Sequence, residues 1–324
     1  MIAILLIALA AGCASALMFA SIVSGALISL LLLYLAPLPL MVAALGWGPL
    51  AATIGGIAAA VSLGAIFGLT HCIAFCIMVA LPAWWLGHLA LLGRPSATSA
   101  ASGNGAAPVV PDIEWYPVGR ILLWIAGFSA LATLGQLLAI GTDAATMVGA
   151  MHGFLLRVFD LHEDALTAEA AQLIDAVVAI APAAAAIFTM AILTFNLWLS
   201  AKITATSGRL HRPWPDLKSA ALPPMTLAAL CVAIALCFTG GLLAILAHIV
   251  TAVLLMAYAL IGFAVLHTLT LQLKSRALWL GCIYMVVVVF SWPVLAMMVL
   301  GLADAVFGLR QRYLQRNPPP LPAS

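Results

Sequence analysis

The sequence predicts an all-α protein, a polytopic transmembrane helix bundle of about 8–9 spanning helices with short amphipathic helices on the membrane surface. Three observations carry this expectation. First, 66% of the 324 residues are hydrophobic and 7% are charged, against ~25% charged in a soluble domain. Second, the charges are segregated. None precedes Arg94, and further gaps run 121–142, 176–201, 219–273 and 277–303. At ~20 apolar residues per crossing, these windows hold about four, one, one, two and one spans. Third, the windows do not alternate polar with apolar residues as barrel strands would, so helices must satisfy the backbone in lipid.

The first span is expected over Ile2–Gly25. "ALAAGC", ending at Cys13, is close to a lipoprotein cleavage box. The segment has no basic n-region and more membrane follows, so it reads as a crossing rather than a removed signal. Ala8, Gly12, Ala16, Ala20 and Ser24 recur every four residues, as do Gly48, Ala52, Gly56, Ala60, Gly64 and Gly68 in the third span. Such ladders let two backbones approach closely. They serve either packing inside the bundle or docking of another membrane subunit.

Between them, "YLAPLPLMVAALGWGPL" turns at Leu45–Pro49 and leaves Pro37 and Pro39 inside the second helix. Each proline frees a carbonyl four residues back. Unwound backbone at membrane depth either packs against neighbours or lines a site. A fourth span, about Cys72–Gly93, carries Trp84 and Trp85 as interfacial anchors. Residues 1–93 thus form an N-terminal four-helix part. A polar linker, 94–117, reads as disordered.

The C-terminal transmembrane part is expected over 118–307. Val118–Ile140 makes the fifth span. In 142–175, apolar residues at helical spacing alternate with six acids, which predicts two short amphipathic helices on the extracytoplasmic surface. Further spans are expected at Ile180–Leu199, at Leu222–Phe238, from Gly240–Gly241 to Leu273, and from Ala277. Trp292-Pro293 breaks the last window, and 308–324 is a Pro/Arg tail. Lys202, Arg209, Arg212 and Lys218 place the 200–221 loop in the cytoplasm by the positive-inside rule. The expected location is the cell inner membrane, multi-pass.

Chemistry is sparsely marked. No HExxH, GxSxG or phosphate-cradling loop occurs, so no enzymatic activity, metal or cofactor is expected. Six cysteines, all in apolar windows, argue against a secreted disulfide framework. A net charge of +2 without a dense basic patch argues against nucleic acid as a partner. Polar groups inside the spans are Gln136, Asn196, His248, Tyr258 and His267. With Pro37 and Pro39, the residues Gln136, Asn196, His248 and His267 are the candidate ligand contacts. His248 and His267 share a helix at ~28 Å and cannot form one site. Gly12, Ala16, Ala20, Gly56, Ala60 and Gly64 are the candidate packing or partner face. Arg209, Arg212, Trp214 and Asp216 mark the cytoplasmic loop. Its basic residues are expected to face anionic lipid headgroups, with Trp214 at the interface.

"FNLWLSAKITATSGRLHRPWPDL" (195–217), "PAWWLG" (82–87), "EWYPVGR" (114–120) and "GLAD…RQR" (301–312) together resemble the YybS-like family of predicted bacterial membrane proteins, in its alphaproteobacterial branch. The N-terminal half is similar to the S components of energy-coupling-factor vitamin transporters, through Pro37/Pro39 and Gly48-Pro49…Gly56. That resemblance implies small-solute binding or transport. It also implies a small-residue face on the first helix that docks a membrane subunit with an associated ATPase. The alternative is a non-enzymatic scaffold or assembly partner in the cell envelope, held to the bilayer and to other proteins by the 200–221 loop.

Overall fold

Continuous apolar runs with few β-branched interruptions become helices along nearly the whole chain. The computed structural model describes residues 2–95, 113–160, 167–216, 219–290 and 292–316. Among the described residues, seven helical segments are long and apolar enough to cross a membrane: 2–24, 27–47, 49–67, 69–91, 118–140, 168–206 and 241–269. An eighth candidate is the pair Pro293–Phe307 and Leu309–Arg316, bent by 73°. Large apolar side chains lie bare on the outside, among them Leu27 at 88%, Phe238 at 86% and Val288 at 80% exposure. In water such a surface would aggregate, whereas hydrocarbon solvates it. The protein is an all-α polytopic membrane bundle.

The chain forms two compact units. One comprises 1–128 with 191–215, the other 129–190 with 216–324. Two helices, Val118–Ile140 and Ala168–Thr206, each begin in one unit and end in the other.

In the first unit, α1 (Ile2–Ala20) packs on α4 (Pro49–Phe67), with α2 (Leu27–Leu35) and α3 (Pro37–Trp47) between them in sequence. Contact is through missing side chains: a Cβ on Gly12 would overlap the carbonyl of Gly55, and one on Gly55 would overlap that of Ala8. Ala8, Ala43 and Ala51 close the core there. The unwound backbone expected at Pro37 and Pro39 is not found. Ala36 keeps helical angles (φ −55°, ψ −33°), and its N–H donates to Leu33 O at 3.2 Å. Proline fixes φ near the helical value, so the chain loses hydrogen bonds there without leaving the helix.

After Gly68, α5 (Leu69–Phe75) leads through a π-turn at Cys76–Ala80 into α6 (Leu81–Leu91). Phe19 meets Phe75 edge-on at 5.4 Å, and Trp85 meets Trp124 at 5.0 Å. The linker expected to be disordered is ordered at both ends. β1 (Gly93–Pro95) pairs antiparallel with β2 (Ile113–Trp115), and Arg94 and Glu114 form an exposed ion pair at 2.9 Å. The rest of the linker, 96–112, lies outside the described residues.

In the second unit the structure corrects the expected surface helices. Only the first stands alone: α8 (Ala144–Val158) follows α7 (Val118–Ile140) and is capped by Asp143. The second merges into α9 (Ala168–Thr206), whose 39 residues run ~58 Å through Pro182. Leu166, Glu163 and Asp164 fall outside the described residues.

Two expected spans are also too short to cross alone. α10 (Met225–Leu236) reaches ~18 Å and α12 (Arg276–Phe290) ~23 Å. α10 turns at Gly240–Gly241 into α11 (Gly241–Leu269), the most buried span. α13 (Pro293–Phe307) packs along α11, and α14 (Leu309–Arg316) follows the bend. Within this unit Arg310 Nη1 donates to Ala220 O at 2.6 Å. The C-terminal helix therefore lies at the same end of this unit as residue 220. The remaining tail, 317–324, lies outside the described residues.

Candidate functional site

The second unit builds its site on a helix crossing as close as that of α1 on α4. A Cβ on Gly262 would overlap the carbonyl of Met297, and one on Gly301 would overlap that of Tyr258. With no side chains between the backbones, α11 and α13 touch. Tyr258, one turn before Gly262, and Asp304, just beyond Gly301, are then brought to one end of the contact. Gly308 takes a left-handed conformation (φ 63°) that turns the chain by 73° into α14.

Below this elbow Asp304 and Arg310 form a buried ion pair, with side chains 8% and 7% exposed. Arg310 donates from its backbone N–H to Asp304 Oδ1 at 2.9 Å, and from Nε and Nη2 to Oδ2 at 2.9 and 2.7 Å. The carboxylate thus satisfies the start of α14 and neutralises the guanidinium, which in turn holds the 219–224 segment through Ala220 O.

These parts surround a cavity of about 620 Å³. Its apolar wall is formed by Leu222, Pro223, Pro224, Leu227, Ile261 and Leu314. Its polar groups are Tyr258, the Asp304–Arg310 pair, Gln311 and Ser219, whose hydroxyl donates to Asp216 O at 2.9 Å. Among the described residues, neither the Tyr258 hydroxyl nor the Gln311 amide is engaged by a side-chain hydrogen bond.

None of the ligand candidates named from the sequence lines this cavity. Pro37 is buried and Pro39 half-buried in the first unit. Asn196 is fully buried there, and its Nδ2 donates to Tyr34 O at 2.8 Å and to Ile192 O at 2.9 Å. It thereby fastens α9 to the turn before Pro37. Gln136 and His248 are exposed, and His248 Nδ1 lies 2.7 Å from Ala244 O on its own helix. His267 is half-buried, with Nε2 2.7 Å from the Tyr284 hydroxyl and its carbonyl accepting from Arg276 at 3.2 Å. Among the described residues no three His, Cys, Asp or Glu side chains cluster as metal ligands.

The small-residue faces are used inside the first unit. Gly12 and Ala16 are buried on α1, and Ala20 is half-buried. The row that meets α1 contains Gly55, whereas Gly56 faces Ala80 and Gly64 faces Cys72. Ala60 is buried on the same helix.

The 200–221 loop is likewise drawn onto protein. Arg212 donates to Ala90 O at 3.1 Å and Tyr116 O at 3.0 Å, so its expected contact with lipid headgroups gives way to two carbonyls. Burial lowers the pKa of its guanidinium from the ordinary value. Arg209 lies over Trp47 at 4.8 Å and Lys202 over Trp214 at 4.6 Å. Asp216 is exposed at the loop's end, and Lys218 lies outside the described residues.

Asp304, Arg310 and Gln311 are not among the sequence candidates, because the last charge-free window ends at residue 303 and 308–324 carries only the signature of a Pro/Arg tail. Their signal was present in "GLAD…RQR", a segment already distinctive in the sequence. A family model described as "Predicted membrane protein (DUF2232)" matches residues 13–305. No curated protein and no solved structure matches the chain.

Proposed function

The chain belongs to this family of predicted membrane proteins, and we propose that it is a non-enzymatic, multi-pass binding or carrier protein of the bacterial inner membrane. It holds a small solute in the cavity beside Tyr258. The observation that supports this reading is the cavity itself. Its volume of about 620 Å³ falls in the ~300–1,000 Å³ range of small-molecule sites. It joins a mostly apolar wall to a few convergent polar groups, the general make-up of a ligand pocket. The likeness to S components extends the reading to transport with an energising membrane subunit and its ATPase. Gly12 is committed to Gly55, so such a subunit would meet the lipid-facing side of α1 rather than its small-residue row. A scaffold role resting on the 200–221 loop is less well supported, because Arg209 and Arg212 are spent on the protein's own Trp47, Ala90 and Tyr116.

Native mass spectrometry of protein extracted in mild detergent tests the reading. The wild type is expected to retain a small molecule that the cavity-filling variant Ala305→Phe loses, with an unchanged unfolding midpoint. Retention of the same molecule by the filled variant, or of bilayer lipid alone by the wild type, would overturn it.

A further inference from the structure

The charges in the cavity cancel one another. Both Asp304 oxygens are occupied by Arg310 donors at 2.7–2.9 Å, and Arg310 also reaches Ala220 O. The polar lining residues without such engagement are uncharged: Tyr258, with its phenol, and Gln311, with its amide. A phenol donates and accepts one hydrogen bond, and an amide offers two donors and an acceptor. The rest of the wall is chiefly leucine, proline and isoleucine. An ion entering this space would lose its hydration and, among the described residues that line it, find no free countercharge unless it broke a buried ion pair. An apolar group would gain from the wall, and a hydroxyl or carbonyl would gain from Tyr258 and Gln311.

Resting on the proposed binding role, we infer that the occupant is an uncharged amphiphile, an apolar body bearing hydroxyl or carbonyl oxygens. The bent pair α13–α14 sorts ligands by charge because it carries both members of the cavity's ion pair. Arg310 and Asp304 thus act as positioning residues that hold the wall and exclude ions, while Tyr258 and Gln311 contact the ligand.

The test uses the full-length protein in lipid nanodiscs and three photoreactive probes of equal chain length: a medium-chain monoacylglycerol, the fatty acid and the alkylamine, each with a diazirine on the chain. Adducts are mapped by mass spectrometry. Adducts of the monoacylglycerol on 219–227 and 304–314 are expected to exceed those of either ion by about tenfold. The double variant Tyr258→Phe/Gln311→Leu is expected to lower them about fivefold. Arg310→Gln leaves the Asp304 carboxylate unpaired and is expected to move the preference toward the amine. If the fatty acid or the amine labels the wild-type cavity as well as the monoacylglycerol does, the charge selection is wrong while the binding site stands. If no probe labels those segments in the wild type, the binding role fails with it. The wild-type comparison decides without the variants, should Arg310→Gln fail to fold.

Discussion

Each unit contains a helix crossing in which glycine brings two backbones together, and these two crossings end differently. In the first, α1 meets α4 at Gly12 and Gly55, and alanines seal the contact on both sides. In the second, α11 meets α13 at Gly262 and Gly301, but the adjoining turns carry Tyr258 and Asp304 and border a cavity. Without a hydrophobic drive between helices in lipid, close backbone approach supplies the packing energy in both. The residues one turn away decide whether the crossing is only a joint or also a wall of a site.

The harshest way to break this comparison is to fill each crossing. Gly12→Leu and Gly262→Leu both place side-chain atoms on a facing carbonyl, which cannot move as a side chain can. Overpacking typically costs 1–3 kcal/mol and here is expected at about 3 kcal/mol or more. Thermal unfolding followed by size-exclusion fluorescence should show both losses. Gly262→Leu should in addition release the retained molecule at temperatures where the fold survives. If Gly12→Leu empties the cavity equally, the two crossings are not functionally distinct.

An effect of similar size is expected at the ion pair. Arg310→Gln strands a buried carboxylate, a change expected to cost about 3–5 kcal/mol. Replacing both partners, as Asp304→Leu with Arg310→Met, should recover most of that loss in the same unfolding assay. A double variant no more stable than the single one would mean that the hydrogen bonds to Ala220 and to the start of α14, rather than charge compensation, hold the elbow.

The first unit has its own polar fastening, and it should matter less. Asn196→Leu removes two hydrogen bonds to carbonyls, one of them on α2. Interhelical hydrogen bonds in membranes average ~0.6 kcal/mol, so a loss of about 1 kcal/mol is expected, with the cavity's occupant unchanged. A loss of occupant in this variant would tie ligand binding to the first unit and weaken the contrast.

The bundle was legible in the sequence because the spacing of charges reports hydrocarbon thickness directly, whatever the side chains do. The α1 ladder was legible because small residues recur every four positions. The second crossing was not, since Gly262 and Gly301 stand among Tyr258, Met297 and other large residues and declare no stripe. Pro37 and Pro39 misled for a different reason: a proline's missing N–H can be read from sequence, but whether neighbours keep the chain helical cannot. The Leu33 carbonyl that Pro37 frees accepts from the Ala36 N–H instead, and Asn196 reaches the neighbouring Tyr34 carbonyl from 162 positions away. Similarly, Glu169 and Asp175 suggested a separate surface helix, but the Ala-rich stretch around them continues one helix to Thr206. The site was hidden because Arg310 reaches the Ala220 carbonyl across 90 positions, and pairing over such a separation has no periodic signature.

The smallest expected effect lies at the start of α8, outside both crossings. Asp143 accepts from the Thr146 hydroxyl at 2.6 Å and from the Thr146 N–H at 2.8 Å. These bonds, the side-chain one foremost, hold its carboxyl below the ordinary aspartate value. The sign follows from linkage. A pKa depressed by folding gives stability that is present above the unfolded value and is lost as pH falls through the folded one. Amides 144–147 should therefore keep their hydrogen-exchange protection from neutral pH into the mildly acidic range, then lose it at more acidic pH. Asp143→Ala should lack that protection at every pH. Asp143→Asn, which keeps a neutral acceptor, should retain part of it with no pH dependence. Protection in the wild type that persists unchanged through strong acid would mean that packing of Met147, fully buried on this helix, rather than the cap, holds the first turn. Because the cap touches neither glycine crossing, none of these changes should alter what the cavity retains.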